Sequence, residues 1–135
     1  MTVYDLIYSY LDTNQRIPQP TLQNKVYKYK INGKSRSIKL DHENKLGFHN
    51  AYLFAQHNSS VNDSYDFHGM LGVALADILD AILDYHYDNK RGGVQSLKWI
   101  TGNGKVIKPK IIRYLKQNNV RFTEINSGSL QVHVE

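Results

Sequence analysis

Two short segments, each placed where a predicted strand gives way to a predicted helix, constrain the fold more than any other feature. The first is Tyr65-Asp66-Phe67-His68-Gly69 and the second is Thr101-Gly102-Asn103-Gly104, with a helix-length stretch between them. A strand, a helix and a strand in this order form a βαβ unit, whose two parallel strands end at the same edge of the sheet. The two segments are therefore predicted to meet at one place.

Hydrophobic periodicity extends this unit to the order β-α-β-α-β-β. Strands are predicted at 63–67, 94–100, 120–125 and 130–134, and helices at 71–88 and after Gly104. The apolar face of the first helix is predicted to be Leu71, Leu75, Ile78, Leu79, Ile82 and Leu83, opposite Asp77, Asp80, Asp84 and Asp88. Right-handed crossovers would place both helices on one face of a mixed four-stranded sheet. The predicted fold is α/β (α+β), a two-layer sandwich.

The first 60 residues have a less regular secondary-structure pattern than the rest. They are predicted to be an N-terminal extension to a domain at 61–135. A helix is expected from residue 3 to residue 11, with Thr2 as its N-cap. A basic hairpin is expected to pair Val26–Ile31 with residues 35–40 around Asn32-Gly33, the strongest short hairpin signal. A second short helix at 46–57 and a connector complete the extension.

Composition excludes several classes of protein. There are no cysteines, so neither disulfides nor thiolate zinc sites can form. No apolar run approaches the ~20 residues that span a bilayer, and the first residues lack the pattern of a signal peptide. These observations predict a cytoplasmic protein that does not associate with membranes.

The net charge of +5 is unevenly distributed. Residues 21–40 and 105–121 each carry six bases and no acid, whereas 71–88 carries aspartates and no base. Such segregation suits a polyanionic partner on one side of the molecule. It suits an ordinary solvated basic face equally well, so charge alone does not identify the partner.

Asp66 and His68 are two residues apart at a strand end, so both side chains are expected to point to the same side. A carboxylate beside an imidazole orients the ring for general acid or base catalysis. Gly69, which follows, allows the backbone to turn close to a ligand. The alternative is structural: Asp66 would cap the turn and His68 would pack at the strand end.

The glycine turn at 101–104 precedes a predicted helix start. Backbone N–H groups at such a turn, assisted by the helix dipole, bind anions. Lys105, Lys108 and Lys110 would add phosphate contacts around the same opening. Taken alone, the turn is equally consistent with a tight strand-to-helix connection.

The remaining histidines predict no further site. His42, His49 and His57 lack the spacing of metal ligands on a helix, so no metal site is predicted there. His86 lies at the end of a predicted helix, where a positive charge is favourable, and this is its predicted role.

Residues 61–135 resemble a small MutS-related (Smr) domain. That family has a Leu-Asp-x-His-Gly segment after its first strand and a His/Thr-Gly-x-Gly turn after its second, which the two segments above match. The Ile107-Lys108-Pro109 helix start and the hairpin at 128–132 also fit. The resemblance implies a fold like the C-terminal domain of bacterial translation initiation factor three. It also implies DNA nicking or RNA cleavage, including cleavage of messenger RNA at stalled ribosomes.

The resemblance makes Asp66 and His68 the catalytic pair, and makes Gly102 and Gly104 part of the nucleic-acid-binding turn. Tyr65 and Phe67 replace the usual aliphatic residues. Thr101 stands where many members have histidine, which leaves one imidazole in the predicted cleft.

The sequence therefore predicts an endonuclease, with RNA favoured over DNA and the ribosome as a further partner. His68, oriented by Asp66, would move the proton of a 2′-hydroxyl or of its leaving group. Mg²⁺ is compatible with the sequence but not required by it, so no cofactor is predicted. The predicted nucleic-acid-binding residues are Gly69, Thr101, Gly102, Asn103, Gly104, Lys105, Lys108, Lys110, Arg113, Lys28 and Lys30. Two alternatives are a non-catalytic module that binds RNA or the ribosome, with Tyr27 and Tyr29 stacking on bases, and a binding site for a small phosphorylated molecule.

Overall fold

The computed structural model describes residues 2–17, 26–31, 34–39, 44–60, 62–89 and 95–135. The elements in these ranges are α1 (Val3–Thr13), β1 (Val26–Ile31), β2 (Lys34–Lys39), α2 (Asn44–His57), β3 (Ser64–Asp66), α3 (Leu75–Asn89), β4 (Gln95–Ile100), α4 (Ile107–Gln117), β5 (Phe122–Asn126) and β6 (Ser129–Val134). None of the helices in the described part of the chain is both long and apolar enough to cross a membrane.

The main sheet has four strands in the order β3-β4-β6-β5. β3 and β4 are parallel, with Tyr65 opposite Trp99. β6 runs antiparallel to both β4 and β5, and Leu130 lies opposite Trp99. The βαβ unit, the closing hairpin and the mixed sheet are therefore as predicted.

The predicted basic hairpin is a separate two-stranded sheet of β1 and β2, which pairs Val26 with Lys39. Its Asn32-Gly33 turn lies outside the described residues. The side chains of Lys28 and Lys30 on β1 also lie outside them.

Helix α3 begins at Leu75 rather than near residue 71, so the prediction that Leu71 belongs to its apolar face is wrong. Leu71 is 40% exposed and lies in a turn ahead of the helix. Asn50 of α2, which is fully buried, accepts the Leu71 N–H (3.0 Å) and donates to the carbonyls of Leu71 and Val73 (2.9 and 2.8 Å). These three bonds satisfy backbone groups of the loop that precedes α3. Ala74, with φ of +56°, breaks the helical path immediately before Leu75.

Helix α1 begins at the predicted N-cap. Thr2 and Asp5 form a reciprocal capping box that satisfies backbone N–H groups of the first turn. Its buried face includes Leu6, Ile7 and Leu11, and the helix packs against α3.

The aspartates of α3 do more than face solvent. Asp84 and Asp88 accept hydrogen bonds from Tyr4 and Tyr8 of α1, at 2.7 and 2.5 Å. The bond to Asp88, together with burial, raises the pKa of Tyr8 to about 12. Because these bonds join α1 to α3, the predicted aspartate row is partly an interface between helices.

Helix α2 also joins the core of the sandwich. Phe54 is fully buried, and its ring stacks on those of Tyr65 and Phe67, with centroid distances of 5.9 and 5.7 Å. The division at residue 60 remains a prediction, but the buried cluster includes side chains from both of its sides.

The predicted cationic role of His86 is wrong. The ring is buried, with Nε2 2.8 Å from the Tyr65 hydroxyl and Nδ1 3.3 Å from Gln95 Oε1. A neutral ring satisfies both partners, accepting from Tyr65 and donating to Gln95. Burial lowers the pKa of His86 below its ordinary value of 6.5, so His86 does not supply the predicted positive charge at the helix end.

We therefore expect acid to destabilise the fold through His86. Because the folded-state pKa is below 6.5, the unfolded chain binds the proton more readily, and stability is lost as the pH falls below that value. The loss is at most about 1.4 kcal/mol per pH unit for one group. Urea unfolding of the wild type and of His86→Gln should be measured between about pH 8 and pH 5. The free energy of unfolding should fall more steeply with decreasing pH in the wild type than in His86→Gln. The control is His49→Gln, which replaces a half-buried histidine. Parallel plots of unfolding free energy against pH for the wild type and His86→Gln would contradict the expectation.

Candidate nucleic-acid interface

Asp66 and His68 lie where β3 ends, and both point away from the core. His68 Nδ1 is 3.3 Å from Asp66 Oδ1, and the His68 backbone N–H donates to the same oxygen at 2.9 Å. The carboxylate therefore caps the turn and also faces the ring. The His68 side chain is 68% exposed and that of Asp66 is 32% exposed, so packing at the strand end does not explain His68.

This contact determines how the imidazole is presented. A carboxylate beside Nδ1 favours the tautomer with hydrogen on Nδ1 and leaves the lone pair on Nε2. Gly69 follows with φ of +75°, and a Cβ there would meet nothing within 4 Å. The backbone thus turns away immediately after His68 and leaves the ring accessible.

The glycine turn lies against His68, as the βαβ topology predicts. Gly102 has φ of +69°, and a Cβ on it would lie 3.4 Å from His68 Cβ. The positive φ would strain any larger residue at this position, and its Cβ would be in van der Waals contact with the histidine. The two segments, more than thirty positions apart in the chain, form one cleft.

Two of the turn's N–H groups are already used. The N–H groups of Thr101 and Gly102 both donate to the Gly128 carbonyl, at 2.9 and 3.1 Å. The Thr101 side chain is buried, and its hydroxyl donates to the Gly102 carbonyl. The turn's predicted anion site therefore narrows to Asn103, Gly104 and Lys105, whose N–H groups have no backbone acceptor among the described residues.

The predicted basic residues around α4 do not all face one opening. Lys105 is exposed at the turn, and Lys108 donates to the Ser127 carbonyl at 2.7 Å, beside the closing hairpin. Lys110 and Arg113 line a cavity of about 240 Å³ between α3 and α4, and Arg113 also lines a second cavity together with Lys108. Lys105 is the one that follows the glycine turn directly in the chain.

A second imidazole, which the sequence reasoning missed, lies beside His68. His57 is the last residue of α2, and its ring is nearly parallel to that of His68, with centroids 6.2 Å apart and planes at 16°. No spacing rule connects residues 57 and 68, because a turn and an edge strand intervene. The one sequence signal that bears on His57 is the helical pattern of residues 46–57. That pattern predicts a helix but not the surface against which the helix packs.

Asn58 fixes this end of α2 to β3. Its side chain accepts the Asp66 N–H at 2.7 Å and donates to the carbonyls of Asp66 and Phe54, at 3.0 and 2.9 Å. β3 is an edge strand, so the Asp66 backbone would otherwise have an unpaired side. Asn58 thus pairs with Asp66 as a neighbouring strand would.

A groove of about 850 Å³ lies between the carboxyl ends of α1 and α2, and His57 is one of the residues that line it. It is lined in part by Arg16, which is exposed, and by Tyr52, which is half-buried. A guanidinium and an aromatic ring are suited to a phosphate and a base. The groove therefore extends the cleft onto the N-terminal helices.

No group of three or more histidine or carboxylate side chains that could hold a metal ion occurs among the described residues, a set that leaves out His42.

Among solved structures, the chain is similar to the crystal structure of the human small-MutS related domain. The two are 32% identical, the match covers 52% of this chain and 98% of that one, and the TM-score is 0.47. No protein-family model matches the chain, and no curated protein matches it.

Proposed function

We propose that this chain, which belongs to the small MutS-related (Smr) family, binds RNA. We further propose that it cleaves RNA at the cleft between β3 and the glycine turn. The observation that carries the proposal is the exposed His68 ring, held by Asp66 and adjacent to Gly102. An accessible imidazole with an oriented tautomer is the group that a proton transfer at a phosphodiester requires.

In the proposed reaction, His68 Nε2 accepts the proton of a 2′-hydroxyl. The 2′-oxygen bonds to phosphorus while the bond from phosphorus to the 5′-oxygen breaks, and that oxygen takes up a proton. The products are a 2′,3′-cyclic phosphate and a 5′-hydroxyl. DNA, which lacks the 2′-hydroxyl, is not a substrate for this route.

Developing charge on the phosphate needs fixed donors. The N–H groups of Asn103, Gly104 and Lys105 precede α4, where the helix dipole favours an anion. The Lys105 ammonium adds a positive charge at the same turn. These groups, rather than the amides of Thr101 and Gly102, are proposed as the phosphate site.

The direct test is cleavage of end-labelled RNA and of DNA of the same sequence, with and without a chelator. The proposal expects cleavage of RNA alone, cyclic phosphate ends and no effect of chelator. Cleavage abolished by chelator would favour a metal-assisted route through Asp66. Binding without cleavage would favour a non-catalytic module, and binding unaffected by competing oligonucleotides would favour a small phosphorylated ligand. The ribosome as partner and a cytoplasmic location remain predictions from the sequence.

Lys105 is expected to contribute one phosphate contact. Lys105→Gln should weaken binding of single-stranded RNA and reduce the slope of log K against log salt by about 0.7. The matched control is Lys116→Gln, which removes an exposed lysine from the last turn of α4, at the end of the helix away from the glycine turn. Fluorescence anisotropy at several salt concentrations measures both, and equal slopes for the two variants would remove Lys105 from the interface.

A further inference from the structure

We infer that His57, contributed by the N-terminal helix α2, is the general acid that protonates the leaving 5′-oxygen. The inference rests on the proposed RNA cleavage. It names the second proton-transfer group of that reaction, and it assigns a catalytic function to the extension.

The separation of the two rings fits this role. The two rings lie 6.2 Å apart, measured between their centroids. They are close enough for one phosphodiester to lie within hydrogen-bond reach of both, which takes about 2.6–3.2 Å at each nitrogen. The two ring planes are nearly parallel, at 16° to each other.

The surroundings of the two rings differ, and the difference assigns the roles. Asp66 contacts the His68 ring, which favours that ring as the base. His57 is exposed at the end of α2, and among the described residues no carboxylate is hydrogen-bonded to its ring, so it is the ring left for the acid. A protonated imidazole is the form that can donate to a leaving oxygen. The proton that His57 gives to the 5′-oxygen is replaced when His68 returns its own to solvent.

The position of His57 is structurally determined. Asn58, the next residue, is bonded to both backbone groups of Asp66, and Phe54, one turn earlier, stacks on Phe67. Rigid support of this kind holds a catalytic group near its productive geometry. Thr101, the alternative source of a group at the glycine turn, is buried and cannot titrate near neutral pH.

The test compares two substrates. One is RNA, and the other is the same RNA with a sulfur in place of the 5′-bridging oxygen at the cleavage site. A thiolate leaves without protonation, since a thiol has a pKa of about 8.5. His57→Ala should therefore lose about 10²–10⁴-fold in rate on RNA and recover most of that loss on the sulfur substrate. His68→Ala, which lacks the base, should be impaired on both.

His49→Ala is the matched control, because it removes a half-buried imidazole from the same helix. It should cleave both substrates like the wild type. His57→Gln, which keeps a polar side chain at this exposed position, should behave as His57→Ala does. Thermal unfolding would verify that each variant is folded.

The outcomes separate the two proposals. Cleavage lost in His68→Ala but unchanged in His57→Ala would overturn the role of His57 alone. Equal losses by His57→Ala on both substrates would likewise overturn the general-acid role. A wild type that cleaves neither substrate would overturn the nuclease function itself.

Discussion

Replacing His68 by glutamine should lower the rate of RNA cleavage by about 10²–10⁴-fold, the usual contribution of a general base. Affinity for RNA should remain close to that of the wild type. Glutamine keeps a polar group at the end of β3 but cannot accept a proton near neutral pH. The His68 side chain is largely exposed, so its replacement removes little packing.

Single-turnover cleavage and anisotropy binding, measured on the same RNA, separate the two effects. His49→Gln is the control, since it removes an imidazole from α2 that lies outside the cleft described above. Unchanged single-turnover rates in His68→Gln would exclude His68 from the chemistry. A parallel loss of affinity would mean that the ring binds RNA rather than moving a proton.

Replacing Phe54 by alanine should lower the free energy of unfolding by about 3–5 kcal/mol. Its ring is fully buried and stacks on Tyr65 and Phe67, which flank Asp66. The loss combines the transfer energy of the ring with the cavity that it leaves. Because domains are stable by about 5–15 kcal/mol, this single change should remove a large share of the total.

Urea denaturation, monitored through the fluorescence of Trp99 on β4, measures this loss of unfolding free energy at the sheet rather than at the helix. Leu46→Ala is the control, since Leu46 is on the same helix but 49% exposed, and it should change stability by less than about 0.5 kcal/mol. If α2 were a detachable extension, Phe54→Ala would leave the Trp99 transition unchanged. If Trp99 fluorescence reports the whole expected decrease in unfolding free energy, α2 and the sheet unfold together.

Several features follow from the sequence because their causes are local. Helix periodicity, the Thr2 cap and the alternation that points Asp66 and His68 to one side depend on residues a few positions apart. The right-handed βαβ crossover then brings His68 to the glycine turn, where the Gly102 contact is found. The start of α3 was predicted too early, because Ala74 breaks the helical path before Leu75 and the buried Asn50 satisfies the preceding loop from another helix.

The sequence by itself thus determined the order of the elements and the two segments that line the cleft. Only the tertiary structure decided that His86 is a buried neutral ring, that Gly128 takes up two N–H groups of the glycine turn, and that His57 lies beside His68. The reason is physical. Local preferences act between neighbours in the chain, whereas these contacts arise where Phe54 and Asn58 bury α2 against an edge strand, and such burial has no signature in residue spacing.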